Sequence, residues 1–139
     1  PAAFAQWKHQ ELFAQICHSE TLKGLAVGLI QKNNLPESMG LVTQCIRMGV
    51  AVMDWIPAES LAYLYNASKE VIITADASGG CERAILEAKA CEIPVRVVSD
   101  SEKLHEWNKV SPMEVIDLWS HIEYARMLRE GINEAVGNR

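Results

Sequence analysis

The chain has 139 residues, a net charge of −5, and 49% hydrophobic and 22% charged residues. This length supports one domain with a sizeable core, and the composition is typical of globular proteins. The acidic balance argues against a nucleic-acid partner, no apolar stretch is long enough to span a membrane, and no signal-peptide pattern is present. We therefore expect one cytoplasmic domain over residues 1–139.

Strand-like and helix-like segments alternate along the first half of the chain. The predicted elements are a short strand over 2–6, a helix over 8–18, a strand over 23–30, a helix from Pro36 to Gly49 and a strand over 50–53. The uninterrupted apolar run 23–30 is typical of a strand buried on both faces. Helical spacing directs four side chains of the second helix inward, namely Met39, Val42, Cys45 and Ile46.

The second half continues the alternation and then ends in a long helix. The predicted elements are a helix opened by Pro57, a strand over 69–74, a helix over 80–91, a strand over 94–99 and a short helix or loop over 101–110. Ser111-Pro-Met-Glu114 has the capping-box pattern, and its helix should reach about Val136. Together these elements predict a three-layer, Rossmann-like α/β domain with a parallel sheet of four or five strands.

The four cysteines form no C-x-x-C pair; they are Cys17, Cys45, Cys81 and Cys91. All four fall in predicted helical segments, so we interpret them as reduced thiols. A zinc site that uses Cys17 with His9 or His18 is an alternative, although no second ligand pair is spaced for it. We expect no metal ion and no cofactor.

A glycine-containing loop is the strongest functional signal. Ser78-Gly-Gly-Cys-Glu82 follows an apolar run and opens a predicted helix. Glycine lets the backbone approach a ligand closely, and the first turn of a helix presents unpaired N–H groups with a partial positive charge. The pattern indicates a site for a phosphate or for sugar hydroxyls at the carboxyl ends of the strands.

Three colinear segments extend this signal over about fifty residues. They read Asp54-Trp-Ile-Pro-Ala-Glu-Ser-Leu-Ala-Tyr-Leu-Tyr65, Ser78-Gly-Gly-Cys-Glu82 and Leu86-Glu-Ala-Lys-Ala-Cys-Glu-Ile-Pro-Val95. In this order they resemble the C-terminal, nucleotide-sugar-binding half of retaining GT-B glycosyltransferases, which carry an E-x7-E motif. More weakly, Phe4-Ala-Gln-Trp-Lys8 resembles the first strand of that half and its basic element.

The resemblance implies a donor-binding site for a nucleoside diphosphate sugar. Its residues would be Lys8, Trp55, Ile56, Gly79, Gly80, Cys81, Glu82 and Glu87. Glu87 would bind the ribose, Lys8 would neutralise the diphosphate, and residues 79–82 would meet the sugar and diphosphate. Residues 55 and 56 would lie beside the base.

The chain departs from the family pattern in ways that affect catalysis. Gly79 stands where the first glutamate of the motif is expected, and Ala5-Gln6 replaces a Gly-Arg pair. Asp76 and Glu82 are nearby acids, but neither is in register. An acceptor-binding domain is not expected within 139 residues. We assign no catalytic residue and expect no transfer by this chain alone; a separate acceptor-binding domain or self-association would be its partner.

Each functional interpretation has a structural alternative. Arg83 precedes Glu87 by four residues, so a helix-surface ion pair competes with ribose binding. Cys81 is either a reactive thiol at a helix start or a small apolar plug. Lys8 is either a phosphate ligand or a solvated lysine, and Trp55 either stacks on a base or closes the core. For the whole chain, the alternatives are a non-catalytic interaction module with the same fold and an unrelated flavodoxin-like binding domain.

Overall fold

The computed structural model of the chain describes residues 3–54, 56–115 and 117, and it is an α/β structure. In chain order the elements are α1 Gln10–Ser19, β1 Leu25–Val27, α2 Leu35–Arg47, β2 Ala51–Met53, α3 Ala58–Ala67, β3 Val71–Ile73, α4 Glu82–Ala90, β4 Val95–Val97 and α5 Glu102–Trp107. Short 3-10 helices at Gln6–Lys8 and Lys32–Asn34 precede α1 and α2. From α1 to α5 the predicted alternation of helices and strands is confirmed. The predicted strand over 2–6 is not formed in the described residues, because Ala3 makes only an isolated bridge to Leu29 and the chain then turns into the 3-10 helix Gln6–Lys8.

The strands form two parallel pairs. β1 pairs with β2 in the register Leu25↔Ala51, and β3 pairs with β4 in the register Val71↔Val95. Within the described residues these are two separate two-stranded sheets, so the structure does not show the predicted continuous sheet of four or five strands. β1 and β3 each pair with a strand along one edge only, so no backbone ladder joins the two pairs within these residues.

Helix boundaries follow the proline and capping signals in the sequence. Pro36 lies in the first turn of α2, and Pro57 immediately precedes α3. The capping box is formed, because Ser111 N donates to Glu114 Oε2 at 2.7 Å and Glu114 N donates to Ser111 Oγ at 3.2 Å. The predicted continuation of this last helix to Val136 lies outside the described residues.

Two hydrophobic cores accompany the two strand pairs. The first contains Phe4, Ala14, Cys17, Ala26, Leu41, Val42, Cys45 and Val50. The second contains Ile73, Ala75, Ile85 and Leu104. An ion-pair network also joins the two halves, since Arg96 of β4 contacts Glu20 after α1 at 2.8 Å and Glu70 before β3 at 2.7 Å.

The buried face of α2 differs from the predicted one. Val42 and Cys45 are buried as expected, but Met39 is 42% exposed and Ile46 is 60% exposed. Ser38 is fully buried instead, because its hydroxyl donates to Phe4 O at 2.7 Å. That hydroxyl also accepts from the backbone N–H of residue 31 at 3.1 Å.

Burial of β1 is less complete than its apolar sequence predicts. Only Ala26 of this strand is buried, and Leu25 is 37% exposed. All four cysteines are free thiols, with Cys17 and Cys45 buried. Among the described helices, none combines the length and apolar character that crossing a membrane requires.

Candidate functional site

The amino-terminal segment 3–8 runs between the two strand pairs. Phe4 N donates to Leu29 O just beyond β1, and Asp76 N just beyond β3 donates to Trp7 O, both at 2.9 Å. The segment therefore contacts the carboxyl ends of β1 and β3 at once. This path carries Lys8 to the edge of the fold where parallel α/β domains bind ligands.

Lys8 lies directly on the glycine loop. Its Nζ donates to Gly79 O at 3.3 Å and contacts Cys81 Sγ at 3.5 Å, and these residues lie 71 and 73 positions from Lys8 in the sequence. Gly80, between these residues, is exposed. The structure thus brings together four of the residues that the sequence predicts for the site, Lys8 and 79–81.

Gly79 is fixed in place by its packing against Trp7. A Cβ atom at position 79 would lie 2.6 Å from Trp7 O and 3.0 Å from Trp7 Cδ1. Real Cβ atoms essentially never make a contact as short as the one to Trp7 O. The absence of the expected glutamate at this position therefore has a local steric reason.

Cys81 begins helix α4 in the left-handed region, with φ of 97°, and its side chain makes no capping hydrogen bond. Burial raises the pKa of its thiol, and the nearby Lys8 ammonium opposes that shift only in part. The protonated thiol is therefore favoured, which fits the apolar-plug interpretation better than the nucleophile.

The two glutamates of α4 are both engaged with other side chains. Glu82 forms an ion pair with Lys103 of α5, and this pair holds the pKa of the Glu82 carboxyl below its usual range. Glu87 accepts from Arg83 Nε and from the Tyr65 hydroxyl, each at 3.0 Å. The predicted helix-surface ion pair of Glu87 is therefore formed. Burial, followed by the charge of Glu87, raises the pKa of Tyr65.

A cavity of about 940 Å³ lies between the two strand pairs and reaches this region. Its lining includes three residues predicted for the donor site, namely Lys8, Cys81 and Glu87. Four other predicted residues do not line the cavity. Three of them, 79, 80 and 82, lie next to Cys81 in the loop, and the fourth is Ile56. Trp55 lies outside the described residues.

The candidate site consists of Lys8 on the glycine loop, the start of α4 and the Glu87 carboxylate, all beside one cavity. Comparison of the chain with protein-family models, curated proteins and solved structures gives no significant match. Within the described residues, no group of three or more His, Cys, Asp or Glu side chains is arranged to hold a metal ion. The assignment of function therefore rests on the side chains of the loop region.

The sequence did not reveal the role of His9. Its Nδ1 lies 2.8 Å from Glu11 Oε1, and its Nε2 lies 2.9 Å from Asp76 Oδ2. These carboxylates, Glu11 first, raise the pKa of His9, and the His9 contact lowers the pKa of Asp76. The other Asp76 oxygen accepts from Ser78 N at 2.8 Å. Asp76 is thus a structural residue of the loop, and no sequence spacing connects it to His9.

Proposed function

We propose that the chain binds a nucleoside diphosphate sugar, as the donor-binding domain of a retaining glycosyltransferase. The observation that carries the proposal is the contact of the Lys8 ammonium with the 79–81 loop at the start of α4. A lysine and the N–H groups of a helix start are both ligands that a diphosphate prefers. Residues 71 positions apart supply these two features.

Glu87 would hold the ribose hydroxyls from the wall of the same cavity. The Glu87 side chain is 25% exposed, whereas its partner Arg83 is 75% exposed. Exposed pairs of this kind contribute roughly 0–1 kcal/mol, so a ribose replaces Arg83 at small cost. The Tyr65 hydroxyl, at 3.0 Å, would keep the carboxylate oriented.

The proposal includes a Rossmann-like parallel sheet of four or five strands that joins both pairs. Segment 3–8 supports it, because that segment already contacts both pairs at their carboxyl ends. Glycosyl transfer itself would need an acceptor-binding domain from elsewhere. The proposal also places the protein in the cytoplasm. The four free thiols support this location, because cysteines stay reduced there.

A non-catalytic interaction module is the second candidate, and one observation favours it. Position 79 has no room for the glutamate that would hold the donor sugar, since a Cβ would meet Trp7 O at 2.6 Å. Glu82 cannot replace it freely, because its carboxylate is paired with Lys103. A module of this kind would keep the fold but would not bind the nucleotide-sugar donor.

Titration of the purified chain with UDP, GDP, ADP and their sugars, by calorimetry and by NMR, separates the two candidates. One nucleotide should bind saturably and shift the amides of Gly80 and Glu82. Lys8→Met should weaken that binding about 10- to 100-fold, since hydrogen bonds to charged groups contribute about 1.5–3 kcal/mol. Lys109→Met is the matched control, because Lys109 is 71% exposed and pairs with Glu106 on the surface.

Glu87→Gln tests the ribose contact in the same titration. It should weaken nucleotide binding while Arg83→Gln, which removes the ion pair alone, leaves the affinity within about twofold. Equal losses in both variants would show that the ion pair and not the ribose contact matters. Absence of saturable binding to every nucleotide at millimolar concentration would refute the donor proposal and favour the interaction module.

A further inference from the structure

Trp7 places a large aromatic ring at the surface beside the glycine loop. The residue is 41% exposed, although tryptophan is highly buried on average. Its Cδ1 lies 3.0 Å from the position that a Cβ atom of Gly79 would take, so one edge of the indole packs on the backbone of the loop. Lys8, the next residue, donates from its Nζ to Gly79 O at 3.3 Å. An exposed aromatic ring therefore lies next to the charged group of the candidate site.

The backbone holds Trp7 in a fixed position. Its carbonyl oxygen accepts from Asp76 N at 2.9 Å, and Lys8 N donates to Ala5 O at 2.9 Å across the short 3-10 helix. Phe4 and Ala5, which precede this helix, are fully buried. A ligand that contacts the ring loses little affinity to ordering of the protein, because the segment is already held on both sides of Trp7. The indole thus has the pre-organised position that a binding platform requires.

A nucleoside diphosphate sugar has its parts in a fixed order, namely base, ribose, diphosphate and sugar. In the proposed site the ribose lies at Glu87 and the diphosphate at the start of α4. Glu87 is five residues beyond Glu82, about 7.5 Å along the helix axis, whereas Gly79 precedes the helix start. The sugar would therefore extend from the diphosphate away from Glu87, toward Gly79 and Trp7. Trp7 does not line the cavity, so a sugar at its indole would remain accessible to an acceptor.

The chemistry of a hexose suits an aromatic contact at this place. A hexopyranose presents C–H groups on the faces of its ring, and the face of an indole carries the partial negative charge that attracts them. A carboxylate would bind the hydroxyls instead, but position 79 is glycine and the Glu82 carboxylate pairs with Lys103. The space beside position 79 is closed by Trp7. The same residue that excludes a glutamate side chain thus offers the sugar a different contact.

We propose that the donor sugar stacks on the indole of Trp7, which replaces the glutamate that the E-x7-E motif would supply at position 79. The inference rests on the proposed function and names the group that recognises the sugar portion of the donor. Stacking depends on the C–H face of the sugar and not on one hydroxyl group. The site should therefore distinguish a nucleotide sugar from its nucleoside diphosphate more strongly than it distinguishes one hexose from another.

Calorimetric titration of the whole chain with matched pairs of ligands tests the proposal. The pairs are UDP and UDP-glucose, GDP and GDP-mannose, and ADP and ADP-glucose. For the base that binds, the hexose should raise the affinity about 2- to 10-fold, the gain expected of one aromatic stacking contact. Trp7→Ala should abolish this gain and leave the affinity for the nucleoside diphosphate within about twofold. Trp7→Phe, which keeps an aromatic ring, should retain part of the gain.

A control variant and a second measurement make the result independent of how well Trp7→Ala folds. Tyr63→Ala should retain the full gain, because Tyr63 is a 79% exposed aromatic residue of α3 that does not line the cavity. In NMR spectra of the unaltered chain, the hexose form should shift the indole N–H signal of Trp7 more than the nucleoside diphosphate does. Loss of that signal in Trp7→Phe identifies it. The indole signal of Trp107, which packs against the second core, should change little.

Failure of the stacking and failure of the proposed function give different results. No saturable binding of any of the six ligands would refute the proposed function and the stacking with it. Binding of a nucleoside diphosphate with no further gain from its hexose, or with the same gain in Trp7→Ala, would refute the stacking alone. An equal loss of affinity for both members of a pair in Trp7→Ala would assign the base to the indole and would also overturn the proposal.

Discussion

Replacement of Gly79 by a residue with a side chain should destabilise the protein, even though the predicted E-x7-E motif would place a glutamate there. The Cβ of Gly79→Ala would lie 2.6 Å from Trp7 O and 3.3 Å from Trp7 C, both of them backbone atoms. Trp7 cannot retract freely, because its carbonyl oxygen accepts from Asp76 N at 2.9 Å. The substitution must therefore separate segment 3–8 from the loop after β3.

The expected cost follows from the kind of contact. Overpacking of a well-packed site costs about 1–3 kcal/mol, and the φ of Gly79 is outside the left-handed region, so no backbone strain adds to it. Each kcal/mol lowers the melting temperature of a domain of this size by roughly 2–8 °C. Gly79→Glu should cost at least as much as Gly79→Ala and should gain no affinity for a sugar nucleotide.

Urea unfolding followed by circular dichroism measures the free energy of unfolding of each variant. Gly80→Ala is the matched control, because its Cβ would meet only the ends of flexible side chains, Glu82 Oε2 at 3.3 Å and Lys8 Nζ at 3.5 Å. It should change stability by less than about 0.5 kcal/mol. A Gly79→Ala variant as stable as Gly80→Ala would refute the steric argument.

Three further outcomes are expected from the same unfolding assay. Gly40→Ala should stabilise the protein by about 0.5–1 kcal/mol, because position 40 lies within α2 and a Cβ there meets nothing within 4 Å; a loss of stability would contradict the open surface. Ser38→Ala should cost about 1–3 kcal/mol, because it removes the hydrogen-bond donor of the buried Phe4 O and the acceptor of the half-buried N–H of residue 31; a neutral result would contradict this. His9→Gln should reduce stability most below about pH 6.5, where an unfolded-state histidine is protonated, and the difference should fade as the pH rises through the raised pKa of folded His9. On the acid side the difference should also fade as the pH falls below about 3.9 and through the lowered pKa of Asp76; a difference that is constant with pH would show that the ion pairs do not form.

Local signals in the sequence predicted the elements well. Helix starts depend on residues that are close together in the sequence, so they can be predicted from it. The examples here are Pro36, Pro57 and the Ser111–Glu114 capping box. The predicted burial of Met39 and Ile46 was wrong, because the buried face of α2 depends on the hydrogen bond from Ser38 to Phe4 O, 34 positions away. A polar residue becomes the buried one there only because a distant carbonyl needs a donor.

The candidate site shows the same division between local and distant information. The glycine loop and Lys8 were identifiable, and their contact agrees with the predicted grouping. The His9–Asp76 contact, 67 positions apart, and the Glu82–Lys103 ion pair had no local signal. The continuous sheet was expected from the strand–helix alternation, but alternation does not determine which strand edges meet.

The distribution of free thiols gives the protein two separate chemical reporters of its motions. Cys17 and Cys45 are buried in the first core, where burial raises their pKa, while Cys81 packs against the second core. Alkylating reagents attack thiolates, so the buried Cys17 and Cys45 react only when the first core opens, whereas the half-buried Cys81 lines the cavity and can react without such an opening. The labelling rate of Cys45 therefore measures the opening of the first core, and that of Cys81 measures access to the glycine loop.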